Sequence, residues 1–340
     1  MPKGLKERVA DGDGILCAEG YTLEMERRGF CSPGPYTTSV LLERPEMIRQ
    51  LHQEFAHAGS DIIVACVYYL NKAKLEAEGK LGQYESINKL GLRLAKEVAL
   101  EYDCLAAGNL YNSTIYNPDK PETVTAVQAV FKDQVAWSVE AGMDLMVLET
   151  FRHYSEARLA LDTVLQNAPG MATVVTLAPY EEKTREGLEL GEALSLLKEA
   201  GATIVGLNCA RGPATMIHTA QRVRETYKGP LCLLPIPFRT TPQQPTWETA
   251  TDPRTGQLAY WPTGDDWPED VETISCSQAE LRAFAKEAQE LGVNYVGLCC
   301  GNSARATRTL ALALGRPCPA AAYRPRPEQS LPAFTASTAN

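Results

Sequence analysis

No stretch of this 340-residue chain approaches the ~20 consecutive apolar residues that a membrane-spanning helix needs, so an integral membrane protein is not expected. Basic excess is also lacking. With 33 Lys and Arg against 42 Asp and Glu, the net charge is −9, and a nucleic-acid surface requires clustered positive charge instead. Residues 1–14 are polar and lack the apolar core of a signal peptide. Cysteine, by contrast, is plentiful. Ten cysteines without an export signal point to a reducing, cytoplasmic setting in which thiols stay free for metal or catalysis.

Three of those cysteines stand out by position. Cys209 ends the apolar run 204–208, and Cys299 with Cys300 ends the run 295–298. Both runs read as short buried strands that stop at a thiol and turn into a helix. Neighbouring side chains on a strand face opposite ways, so Cys299 and Cys300 converge only if the strand has already ended. Three thiols at one end of two strands suit Zn²⁺, which takes thiolate ligands in a tetrahedral shell, and three protein ligands leave a position open for substrate. The competing reading is burial, since a free cysteine also behaves as a small apolar side chain. That reading is preferred for Cys17, Cys66, Cys104 and Cys232, which sit within strand-like runs, while Cys31, Cys276 and Cys318 carry no pattern.

Apolar runs and amphipathic segments alternate along the chain. Strands are expected at 15–19, 61–68, 104–109, 145–150, 172–177, 203–209, 231–237 and 294–300. They are continuously apolar, as parallel strands covered on both faces are. Helices are expected at 45–58, 87–102, 124–141, 155–166, 190–200, 214–227, 278–291 and 303–314. Eight strands each followed by a helix describe an α/β fold, the (β/α)8 TIM barrel, whose active site lies at the C-terminal ends of the strands. Cys209 then closes strand six, and Cys299 and Cys300 close strand eight, all on that rim.

The barrel is expected over residues 1–316, and the Pro- and Ala-rich stretch 317–340 as an extended tail. One connection, 239–275, is long enough to suggest either a lid or a surface excursion folded on its own aromatics. It holds Trp247, Trp261 and Trp267.

The segments Gly206-Leu207-Asn208-Cys209 and Gly297-Leu298-Cys299-Cys300-Gly301 resemble the zinc motifs of the homocysteine S-methyltransferase family. The likeness runs from residue 14 to about 314. The stretches 26–30, 50–55 and 74–76 resemble the betaine-using members of that family. The resemblance implies a zinc-dependent enzyme that transfers a methyl group from a small onium donor, betaine-like, to homocysteine, forming methionine. It implies Cys209, Cys299 and Cys300 as zinc ligands, and Glu19, Gly20 and Glu149 as the homocysteine site. Tyr36 and Tyr69 are implied at the donor site. Glu19 stands where the family has Asp, Tyr21 where it has a second Gly, and Thr150 where the betaine enzymes place another cage aromatic. These departures keep other readings open: a sulfonium donor, a different thiol or selenol acceptor, or a non-catalytic metabolite-binding barrel with structural zinc. The expected partners are the two small substrates and possible further copies of the chain.

Overall fold

The computed structural model describes residues 2–31, 38–259 and 269–323. Eight strands form the sheet: β1 Ile15–Ala18, β2 Ile62–Val64, β3 Leu105–Tyr111, β4 Leu145–Phe151, β5 Ala172–Leu177, β6 Ile204–Asn208, β7 Leu231–Leu234 and β8 Tyr295–Leu298. All pairings are parallel and run in sequence order. The ring closes where β1 meets β8, with Cys17 opposite Gly297 and Ala18 opposite Leu298. Every strand residue is buried, because side chains of one parity fill the barrel and those of the other lie under the helices. This is the expected (β/α)8 barrel.

The helices are α1 Leu5–Ala10, α2 Tyr21–Arg27, α3 Thr38–Glu43, α4 Pro45–Ala58, α5 Lys72–Ala77 and α6 Tyr84–Glu101. They continue with α7 Pro121–Glu140, α8 Tyr154–Asn167, α9 Leu190–Glu199, α10 Pro213–Thr226, α11 Gln278–Glu290 and α12 Ala304–Ala313. The eight longer ones, α4 and α6 to α12, follow the eight strands in turn. α4 shows why they form. Ile48, Leu51, Phe55 and Ala56 recur at helical spacing and are buried against the sheet. Proline at its first turn starts the helix, and Gly59 at φ 111° ends it. No helix among the described residues is long and apolar enough to cross a membrane.

The structure departs from the expected boundaries in three places. α1, α2, α3 and α5 are helices of six or seven residues, too short for an amphipathic period to show in sequence. The expected strands 61–68 and 231–237 leave the sheet early, at Val64 and Leu234. Apart from Ala65, whose N–H still donates to the Ala107 carbonyl at 2.9 Å, residues 65–67 and 235–238 are buried under the rim outside the sheet, so apolarity there marks a covered loop. Beyond residue 316 the chain forms a 3₁₀ turn, Pro319–Tyr323, with Cys318 and Ala320 buried. A side chain on Gly59 would strike Cys318 Cβ at 2.9 Å, so this first part of the tail is seated on the end of α4.

Candidate metal and substrate site

The three cysteines meet because the end of β7 registers both of their turns. Cys209 N–H donates to the Leu234 carbonyl at 2.9 Å, and Cys299 N–H donates to the next carbonyl, Pro235, also at 2.9 Å. Cys209 and Ala210 turn out of β6 in the left-handed region, at φ 60° and 61°. Such conformations are costly for residues with a side chain and persist only where the surroundings enforce them. The Asn302 N–H closes the second turn on the Cys299 carbonyl at 3.0 Å. The result is a triangle of sulfur atoms. Cys209 Sγ lies 3.9 Å from Cys300 Sγ, which lies 3.8 Å from Cys299 Sγ. A disulfide needs about 2.05 Å. A tetrahedral thiolate shell with Zn–S near 2.3 Å has edges of about 3.8 Å. The donor set and its spacing therefore fit zinc. The thiols of Cys299 and Cys300 hold the Cys209 thiol well below its ordinary range, and theirs are raised in return by Cys209. Further deprotonation of the trio calls for positive charge at its centre.

Two carboxylates stand beside the trio. Glu19 follows β1 and Glu149 lies in β4, and both are buried. One oxygen of each, together with Cys299 Sγ, falls within 4.8 Å of the others. Glu149 is held on both sides. Its Oε1 accepts from Asn109 Nδ2 at 2.7 Å, and its Oε2 accepts from Asn208 Nδ2 at 3.0 Å and from the Thr150 hydroxyl at 3.2 Å. Asn208 is itself fixed. Its Oδ1 accepts from Thr150 N–H at 3.0 Å and from the Thr176 hydroxyl at 2.9 Å, while its Nδ2 also lies 3.7 Å from Cys299 Sγ. Glu19 is less satisfied, for its Oε2 is buried and has no hydrogen-bond partner. Burial pushes the Glu149 carboxyl up to about 7. Burial, and then the charge of Glu149, push Glu19 well above the usual carboxylate range. Buried acidic pairs are costly unless a cation joins them, so this corner of the site suits an ammonium.

Trio and carboxylates open into one cavity of about 410 Å³. Tyr69, at φ 66°, lines it from the loop after β2, packed edge-on against Tyr68 with ring centroids 4.5 Å apart. Tyr180 and Trp247 form another wall, the indole Nε1 donating to the Tyr180 hydroxyl at 3.2 Å. Trp247 comes from the long connection after β7, and its N–H donates to the Ala210 carbonyl at 2.9 Å, tying that segment to the cysteine turn. Trp261 and Trp267 lie outside the described residues, as does Tyr36.

Gly20 sits where β1 turns into α2, at φ 85°. A Cβ there would lie 2.3 Å from the Cys299 carbonyl oxygen. Gly20→Ala is therefore expected to displace the cysteine turn and to cost about 1–3 kcal/mol in stability. Thermal unfolding of the variant checks this, and an unchanged midpoint would show that the turn is loose.

Cys209, Cys299, Cys300, Glu19, Gly20, Glu149 and Tyr69 thus all face one cavity. Asn109, Tyr180 and Arg152 join them without a distinguishing signal in the sequence, whereas Trp247 and Lys74 come from the long connection and the stretch 74–76 noted above, neither of which marked them as cavity residues. Asn208 is legible there only as the residue before Cys209, although a buried amide at a strand end is itself a signal of a polar network. Thr150, which stands where an aromatic cage residue was expected, belongs to the hydrogen-bonded clamp on Glu149.

A family model described as homocysteine S-methyltransferase matches residues 17–314. Betaine–homocysteine S-methyltransferase 1 of Bos taurus is 30% identical over 312 residues, spanning 88% of this chain and 72% of the relative. The S-methylmethionine–homocysteine S-methyltransferase of Pongo abelii is 27% identical over 304 residues, spanning 88% and 78%. The metallated crystal structure of the homocysteine methyltransferase MmuM from Escherichia coli shares the fold, with a TM-score of 0.68 at 21% identity, covering 91% of this chain and 99% of that one. From residue 17 to residue 314, which takes in the barrel and both cysteine turns, this chain belongs to the homocysteine S-methyltransferase family.

Proposed function

We propose that the chain transfers a methyl group from a small onium donor to the sulfur of homocysteine, with zinc held by Cys209, Cys299 and Cys300. The observation that carries this is the sulfur triangle at tetrahedral spacing beside a buried carboxylate pair in one cavity. The structural relative from Escherichia coli was solved in a metallated form. Bound to the trio, zinc would keep the acceptor sulfur ionised and nucleophilic at neutral pH, where a free thiol with pKa near ~8.5 is mostly protonated.

The chain's own residues supply the rest. Glu149, clamped by Asn109 and Asn208, and Glu19 with its unpartnered oxygen receive the amino-acid ammonium. That anchors the acceptor's backbone and leaves its sulfur toward the cysteines. Gly20 lets the β1 turn approach them. The sulfur lone pair forms the new S–CH₃ bond. The C–N or C–S bond of the donor breaks, its electron pair staying on the departing nitrogen or sulfur, which becomes neutral. An anionic sulfur and an onium cation are consumed together, so the transition state sheds charge and gains from a poorly hydrated cavity. No general base acts at carbon, and catalysis rests on nucleophile activation and in-line alignment.

Tyr69 offers the donor a π face, worth roughly 0.5–2 kcal/mol for a cation. Both donors named for the relatives, betaine and S-methylmethionine, are onium compounds. The hydroxyl of Thr150 in place of an aromatic makes the sulfonium donor the second reading. Steady-state kinetics with glycine betaine, S-methylmethionine and dimethylsulfonium acids distinguishes them. Tyr69→Ala should raise the KM of the productive donor well beyond that of homocysteine, and Tyr69→Phe should be mild because the ring survives. Methionine formation from none of these donors would overturn the proposal.

A further inference from the structure

We propose that Lys74 receives a carboxylate of the methyl donor, so that this site selects zwitterionic onium compounds over bare onium cations. The inference rests on the methyl-transfer reading above and names the donor class for the same cavity. Lys74 lies in the first turn of α5, and its backbone is fixed there because its N–H donates to the capping side chain of Asn71 at 3.0 Å. Its side chain lines the cavity that holds the cysteine trio, and its Nζ stands 4.9 Å from the centroid of the Tyr69 ring.

That position turns the ring into a shared resource. A donor cation bound on Tyr69 must lie within about 6 Å of the centroid. It then stands no more than about 11 Å from the Lys74 ammonium. At the effective dielectric of such a site, two like charges at that separation repel by roughly a tenfold loss in affinity. An anionic group on the donor, reaching from the onium centre toward Lys74, removes that repulsion and adds a charge-assisted hydrogen bond. Glu78 acts on Lys74 through its charge, while its Oε2 pairs with Lys80 at 3.1 Å, so it meets the Lys74 ammonium in part and leaves its cavity side to a donor carboxylate. Burial lowers the Lys74 pKa from its usual value against the opposing charge of Glu78, consistent with an ammonium short of solvation. Among the described residues lining the cavity, the other cation is Arg152, stacked 4.3 Å over the Tyr180 ring with Glu181 at 3.8 Å.

The test compares full-length wild type with Lys74→Met, Lys74→Arg and Arg152→Met. Glycine betaine and S-methylmethionine serve as carboxylated donors. Tetramethylammonium and trimethylsulfonium serve as bare cations, read as competitive inhibitors. Lys74→Met should raise the KM of the carboxylated donor roughly 10- to 100-fold, leave homocysteine's KM unchanged, and leave inhibition by the bare cations equal or stronger. Lys74→Arg should recover most of the loss. Equal weakening of zwitterions and bare cations, an unchanged donor KM, or a donor-specific loss in Arg152→Met alone would each overturn the assignment. Wild-type turnover reports separately on methyl transfer: if neither donor yields methionine, that reading falls, and the assignment of Lys74 falls with it.

Discussion

Cys300→Ala should leave a folded barrel that holds little zinc and forms almost no methionine. Cys300 is half-buried on the rim, outside the strands, so its removal opens no cavity in the sheet. What it removes is one corner of the sulfur triangle. Without a metal at the trio, the acceptor must react from its free thiol. With pKa near ~8.5, only about 3% of such a thiol is ionised at pH 7, so the loss is at least roughly 30-fold from ionisation alone. Lost placement of the sulfur multiplies that figure. Cys300 is a cleaner position than Cys209, which is fully buried and whose truncation would also leave a void. Metal analysis of the purified variant, with a thermal melt for folding, decides the matter. A full equivalent of zinc in Cys300→Ala would sink the three-thiolate assignment.

The second large effect is expected at Glu149. Glu149→Gln should weaken homocysteine binding by roughly 10- to 150-fold while zinc is retained, the loss of a hydrogen bond to a charged group being about 1.5–3 kcal/mol. The clamp makes the substitution harsher than its shape suggests. Both oxygens of Glu149 accept from asparagine NH₂ groups, Asn109 on one side and Asn208 on the other. A glutamine must turn its own NH₂ toward one of them, leaving two donors face to face. Part of the effect will therefore appear as lower stability of the unliganded protein, so the melt should be recorded beside the titration. Homocysteine affinity equal to wild type would show that the ammonium is held elsewhere.

The cysteine trio and Glu149 differ in how much of each the amino-acid sequence reveals. The cysteines are legible because a thiol ending an apolar run is a local pattern, and the barrel then fixes which end of each strand carries the site. Glu149 falls at the end of a strand for the same reason. What holds Glu149 is not legible. Asn109 comes from β3, Thr176 from β5 and Asn208 from β6, and their hydrogen bonds exist only because neighbouring strands are in register. The long connection after β7 shows the same limit from another side. Its sequence announces aromatics, yet it is the hydrogen bonds from Trp247 to the Ala210 carbonyl and to the Tyr180 hydroxyl that hold this one on the cavity.

By itself, then, the sequence determined the alternation of eight buried strands with helices and the three thiols that end two of them, since both follow from apolar spacing along the chain. Short helices such as α2 and α5 escaped it, having too few residues for a period. Tertiary structure alone decided which side chains meet. The sulfur triangle depends on two successive carbonyls at the end of β7, Leu234 and Pro235, pinning turns that lie far apart in the chain. The pairing of Lys74 with the Tyr69 ring depends on a left-handed turn at Tyr69. Such contacts are set by closure of the barrel, a constraint distributed over all eight strands and written in no one of them.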